Sequence, residues 1–335
     1  MASEGRRGIA AGGNWIIDHV KLIDAWPAQE TLANIVGQCS GTGGAPYNVL
    51  VDLHRMLAPF PLTAIGVLGR DPDGDAIAED MRARGIASRF RRSDTRATSF
   101  TDVMTVQSTG RRTFFHNRGA NAELSPADVP LDELNARILH IGYLLLLEGM
   151  DADDPDYGTA AARVLAGARE RGIRTSVDVV SEASNRFQGV VTPALPHVDY
   201  LICNEIEAGR IVGIDIRVDD RLDRGALPRA ARALLDLGVN EAVVIHVPEG
   251  GFAMTAAGEE AFRPSLTLPP GYIQGAAGAG DAFCAGFLLG AHEGWPLERR
   301  LTLAVCAAAA SLSDPTCCAG MLPVEELLAL GERYG

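Results

Sequence analysis

Apolar runs short enough for buried strands alternate along this chain with longer stretches whose apolar positions recur at helical spacing. Gly8–Gly13 predicts a buried strand running into Asn14-Trp-Ile-Ile-Asp18. His19–Ile23 alternates apolar and polar, as an edge or lid strand does. The glycine-rich Gly37–Gly44 precedes a helical pattern over Ala45–Leu57, followed by a strand at Leu62–Gly69 and an exposed amphipathic helix at Asp75–Arg84. Ala97–Val106 and Arg112–His116 flank the polar turn Gln107–Gly110, a hairpin signature. From Leu139 onward strands and helices take turns. Strands are expected at Leu139–Leu147, Arg174–Val180, Tyr200–Cys203, Ala242–Val247 and Phe252–Thr255. Helices are expected at Tyr157–Arg171 and Asp223–Leu237, from Asp281, at Leu301–Ser313 and at Glu325–Tyr334. That order implies a three-layer α/β/α, Rossmann-like, mainly parallel sheet with helices on both faces. A small β-sheet lid is expected from about 14–40 and 97–118. No linker or repeat divides the chain, so a single domain over 1–335 is expected.

Composition narrows the class of partner. A net charge of −13 leaves no excess of Lys and Arg to meet a phosphate backbone, so nucleic acid is not expected as a partner. A small anion needs only a local site. Ile138–Leu147 carries His140 and Gly142 and is too short to span a bilayer, and Met1–Arg7 lacks the apolar run of a signal peptide. None of the six cysteines forms a CxxC pair, which suits reduced thiols in a cytoplasmic protein.

The candidate chemistry begins at Gly275-Ala-Ala-Gly-Ala-Gly-Asp281. Glycines break any regular element there, and the small and apolar residues after Asp281 suit a buried helix. Gly278-Ala279-Gly280 should form a turn whose free N–H groups, at the positive end of a helix dipole, bind an anion. A carboxylate at the mouth of such a site is a candidate base for a hydroxyl attacking a phosphoryl group. The bland alternative is a glycine turn with Asp281 as a helix N-cap.

Other polar residues fall at the carboxyl ends of predicted strands, where ligands of parallel sheets bind. Asn14 and Asp18 follow the first strand. Gly43, Gly44 and Asn48 sit on a glycine-rich helix start. Glu148 ends the long apolar strand and Asp178 the next, while Asn204 and Glu207 follow Leu201-Ile-Cys. Singly, each also reads as a turn residue, a helix-surface amide or a solvated charge.

With these segments in order, the chain resembles the ribokinase-like carbohydrate kinases, a family that includes fructokinases and adenosine kinases. The matching segments are Gly13-Asn-Trp-Ile-Ile-Asp18, Gly43-Gly-Ala-Pro-Tyr-Asn48, Gly119-Ala-Asn121, Asn204-Glu-Ile-Glu207 and Gly278-Ala-Gly-Asp281-Ala-Phe. The resemblance implies a ribokinase-like fold and transfer of the γ-phosphate of ATP to a sugar hydroxyl. It gives Asp281 as base and the backbone of Gly278, Ala279 and Gly280 as anion hole. Asn14, Asp18, Gly43, Gly44, Asn48 and Glu148 would hold the sugar. Asn204 and Glu207 would organise Mg²⁺ through water, and His246 and Gly251 would lie beside the nucleotide. It also implies a possible homodimer through the lid, although the hairpin near Gln107–Gly110 carries no decisive apolar face.

The chain departs from the family's pattern at Gly275-Ala276 (usually Asp-Thr), Pro248 (usually Gly), His246 (commonly Thr), Val180 and Cys317-Cys318. A potassium site is therefore not carried over. Two other readings remain. An adenosine-type nucleoside kinase would use Trp15 and Tyr47 against a base, although packing is the preferred role for both. A non-catalytic sugar- or nucleotide-binding protein would follow from the altered nucleotide side.

Overall fold

The computed structural model describes residues 5–182 and 184–335; residues 1–4, part of the segment read above for a signal peptide, lie outside the described residues. Its largest element is a nine-stranded sheet. Across it run Glu260–Pro264, Gly250–Thr255, Ala242–Val247, Tyr200–Asn204, Arg174–Val179, Ile138–Leu144, Ile9–Gly13, Leu62–Leu68 and Ala87–Arg92. From Ala242–Val247 to Ala87–Arg92 every pairing is parallel, and the remaining two strands extend the sheet antiparallel.

Alternate residues of the central strands feed two separate apolar cores, one on each face. Ala10, Leu139 and Ile141 join one core with the helices Ala160–Glu170 and Ala226–Asp236. Ile9, Ala11 and Ile138 join the other with the helices Ala45–Arg55, Ala279–His292, Leu297–Ser311 and Val324–Tyr334. This is the three-layer architecture that the sequence pattern implies.

A second, four-stranded sheet runs Ile35–Gly43, Ile16–Ile23, Ser99–Val106, Arg112–Asn117, with its two middle strands parallel. The first sheet passes into it through Gly13-Asn14-Trp15. Trp15 is fully buried, donates its indole N–H to the Ile65 carbonyl at 2.7 Å, and fills the space left by Gly66. Asn121 ties this root down by donating to Asn14 Oδ1 and to the Trp15 carbonyl, both at 2.8 Å.

Several elements differ from expectation, the edge strand Glu260–Pro264 among them. Ala87–Arg92 reads as polar and exposed, yet it pairs as an edge strand beside Leu62–Leu68. Glu205–Val212 is a helix, set by a capping box between Asn204 and Glu207. The apolar strand ends at Leu144, and Glu148 starts a separate helical turn, Glu148–Asp151. Among the described residues no helix is long and apolar enough to cross a membrane.

Candidate active site

A cleft of about 580 Å³ opens where the two sheets meet, beyond the carboxyl ends of the parallel strands. On its floor the helix Ala279–His292 begins, buried almost throughout because its residues are small or apolar. Gly278 caps it in a left-handed conformation, φ 76°, and a Cβ there would lie 2.7 Å from the Cys317 carbonyl oxygen. Only glycine satisfies both demands. The turn Gly278–Gly280 faces the cleft, so its unpaired N–H groups and the helix dipole point at whatever enters.

Asp281, in the first turn, is buried, with both carboxylate oxygens held. Asn48 Nδ2 donates to Oδ2 at 2.7 Å, and the Tyr143 hydroxyl donates to Oδ1 at 2.8 Å. Burial raises its pKa, and the two hydrogen bonds, which favour the charged form, oppose the rise. The carboxylate is therefore fixed in orientation, with a proton affinity above that of a carboxylate in water.

The lid side of the cleft is formed by alternate residues of two strands. Asp18 projects from Ile16–Ile23, and Gly43 leaves room for its carboxylate, where a Cβ would collide with Oδ2. Burial and then the charge of Asp281 push Asp18 up to about 6, with Arg112 opposing. Gly44, φ 94°, lies against the Asn14 carbonyl and starts the helix that carries Asn48. Arg112, Phe114 and His116 line the cleft from every second position of the outer lid strand. His116 Nδ1 lies 3.0 Å from the Thr101 hydroxyl, and burial lowers its pKa to about 4, so the ring is neutral.

On the opposite side stand Asp178, Asn204, Glu207 and His246. Asn204 Oδ1 accepts from the N–H groups of Ile206 and Glu207 at 2.9 Å, and Glu207 accepts from Asn204 N at 2.9 Å and from the Ser181 hydroxyl at 2.7 Å. Burial raises Asp178 well above the carboxylate range, with the charges of Glu207 and Asp281 adding to it, and raises Glu207 to about 7. Among the described residues no three acidic, His or Cys side chains form a direct metal cage. Two buried carboxylates raised in this way do fit a hydrated Mg²⁺, the counter-charge they lack. His246, neutral because burial lowers its pKa to about 4, packs against Phe283 and Gly280.

Asn14, Asp18, Gly44, Asn48, Asn204, Glu207, His246 and the turn with Asp281 thus meet in one cleft. Three expected site residues do not line it. Glu148 is exposed, beyond the end of its strand, and faces Arg96 at 3.8 Å. Gly251 is buried where the Phe283 ring fills the space of a side chain. Gly43 acts only by making room for Asp18. Trp15 and Tyr47, offered for a nucleoside base, are packed at the lid root and against Asp80, with the Tyr47 hydroxyl 2.8 Å from Asp80 Oδ2. That is the packing role preferred for them.

Residues 13–324 match the family described as pfkB family carbohydrate kinase. The chain belongs to the pfkB family of carbohydrate kinases. Among its relatives, the ribokinase of Arabidopsis thaliana is 27% identical over 84% of this chain and 69% of that protein. The 5-dehydro-2-deoxygluconokinase of Halalkalibacterium halodurans is 25% identical over 87% of this chain and 85% of that one. In fold, this carbohydrate kinase is similar to Arabidopsis thaliana ribokinase complexed with ribose and ATP, with a TM-score of 0.80, 20% identity and 99% of both chains covered.

Sequence reasoning missed Tyr143, Arg112, Phe114 and His116 in this kinase. Tyr143 sits in an apolar strand, where an aromatic reads as core. The other three had a usable signal, since positions 112, 114 and 116 share one face of a strand predicted for the lid.

Proposed function

We propose that this carbohydrate kinase transfers the γ-phosphate of ATP to a hydroxyl of a small sugar, with Asp281 as the base. One observation carries the reading. Asp281 stands in the first turn of the helix that opens at Gly278 and is bonded to Asn48 on the acceptor side. It can therefore take a proton from an alcohol placed between Asp18 and the turn. Asp18 and Asn48 pair with sugar hydroxyls, which both donate and accept. The N–H groups of Ala279 and Gly280 meet the charge that builds on the transferred group, at no cost of reorganisation. Mg²⁺, when bound near Asp178 and Glu207, neutralises phosphate charge. The lid strands exclude water, which competes with the sugar as acceptor.

The test compares wild type with Asp281→Asn for ADP release from Mg-ATP across a sugar panel. The expected result is a loss of about 10²–10⁴-fold in kcat, the range of general-base catalysis, with acceptor affinity changed little. Equal rates would remove Asp281 from this role.

The names of relatives support a sugar or sugar-acid acceptor more than a nucleoside, and no aromatic foreseen for a base faces the cleft. A dimer through the lid is part of the same proposal. Trp26, Leu32, Ile35, Val36 and Phe115 lie exposed on or beside the small sheet, and the rings of Trp26 and Phe115 stack at 6.2 Å. The lid therefore does carry an apolar surface, contrary to what the Gln107–Gly110 turn suggests by itself.

A further inference from the structure

The charges around the cleft are unbalanced in a way that sugar hydroxyls do not answer. Four carboxylates line it: Asp18, Asp178, Glu207 and Asp281. Arg112 is the single Lys or Arg among the residues lining it. Asp178, Glu207 and Asp281 surround the turn and the nucleotide side, where a hydrated divalent ion fits. Arg112 stands apart, on the outer lid strand, close enough to Asp18 and Cys317 to oppose the rise that burial gives their pKa values. Its guanidinium lies above the Phe114 ring, 5.9 Å from the centroid. Among the described residues it forms no ion pair within 4.0 Å, although Arg side chains elsewhere on the surface find partners readily.

The neighbour two steps along the same strand face adds to this. His116 is neutral and bonded through Nδ1 to Thr101, while its Nε2 is buried without a hydrogen-bond partner. The imidazole is thus held in place by Thr101, with no protein group meeting its Nε2. The lid wall therefore presents the five N–H donors of Arg112, with the neutral His116 ring packed beside them. Sugar hydroxyls are matched by groups that accept as well as donate. A guanidinium, which only donates and is permanently positive, matches a group that only accepts and is negative.

Resting on the kinase reading above, we propose that the acceptor is an anionic sugar, whose carboxylate or phosphate is held by Arg112 with His116 beside it, while Asp18 and Asn48 hold hydroxyls. The carboxylate and the phosphate share the chemistry that Arg112 reads, bidentate pairing to paired oxygens. Arg112 is thus a specificity residue rather than a member of the phosphoryl-transfer machinery.

Acceptor binding is measured by calorimetry without ATP, on wild type and on Asp281→Asn, so the result stands whether or not Asp281 is the base. The probes are matched sets: a neutral pentose and hexose, the corresponding aldonates, and the corresponding sugar monophosphates. At least one anionic member should bind roughly tenfold or more tightly than its neutral counterpart, the worth of one charge-assisted contact. Arg112→Gln should erase that preference, and Arg112→Lys should restore part of it. Binding of neutral sugars, and the KM for Mg-ATP in turnover, should stay within about twofold.

The aldonate and phosphate arms tell the two sources apart. The proposal is overturned if neutral sugars bind as well as both anionic classes, if no anionic sugar binds, or if the preference survives Arg112→Gln. It is equally overturned if Arg112→Gln lowers kcat alike for neutral and anionic acceptors, since Arg112 would then serve the travelling phosphoryl group.

Discussion

Asp52 lies wholly inside the protein, one helical turn below Asn48, and neither of its carboxylate oxygens has a hydrogen-bond partner. Burial raises its pKa well above the ordinary value, the neighbouring Cys318 thiol opposes the rise, and the charge of Asp281 adds to it. A carboxyl whose pKa is higher folded than unfolded binds its proton more tightly in the native state. Its contribution is most favourable below the unfolded pKa, near 4, and is lost as pH climbs towards the folded value. Asp52→Leu, close in shape and free of polar atoms, should therefore stabilise the protein. The gain should be small at pH 5 and larger at pH 8, where we expect a Tm rise of roughly 2–6 °C. Thermal unfolding of both proteins across that range checks it, and a gain that shrinks with pH would contradict it. The meeting of Asp281, Asp18 and Asn48 in one cleft could be expected from the sequence because glycines beside them mark sharp turns at the ends of strands. Tyr143 could not, since nothing in Ile138–Leu144 distinguishes a ring that reaches the cleft from one that packs in the core. Glu148 and Gly251 were misplaced for a related reason: a shift of a few residues at a strand end moves a side chain from the rim to the surface or the core.

The turn before the Ala279–His292 helix is shaped by two neighbours at once. Gly278 needs its positive φ, and the Cys317 backbone occupies the space where a Cβ would go. If the turn is the anion site proposed above, Gly278→Ala should tilt its N–H groups away from the transferred group. We expect kcat to fall by roughly 10²-fold, as when an oxyanion donor is removed, with acceptor affinity changing by less than about threefold. Steady-state kinetics beside acceptor calorimetry check this, and a loss confined to acceptor binding would contradict it. At this scale the long elements were legible because their apolar periods are unambiguous. The edge strands Ala87–Arg92 and Glu260–Pro264 were not. One side of each faces solvent, so neither shows the apolar run of its neighbours.

The two-sheet plan and the rim location of the cleft followed from the alternation of strands and helices, whereas the apolar surface of the lid did not. Phe115 is far along the chain from Trp26, Ile35 and Val36, and it reaches Trp26 only through the antiparallel and parallel pairings of the small sheet. If two copies meet there, replacing Trp26 and Phe115 by Ser should convert the dimer to a monomer at micromolar concentration, with the fold kept. Light scattering with circular dichroism reads both. A wild-type protein that is already monomeric at high concentration would remove the interface.

The short Gly13–Trp15 crossing gives the small sheet custody of Asp18, while Asp281 stays rooted in the large one. On the function proposed above, the alcohol and its proton acceptor would thus be delivered from different bodies, whose crossing Asn121 holds through Asn14 and Trp15. A neighbour that grips only the outer side of the small sheet can therefore throttle turnover from a distance, by spoiling the alignment of two groups it never touches.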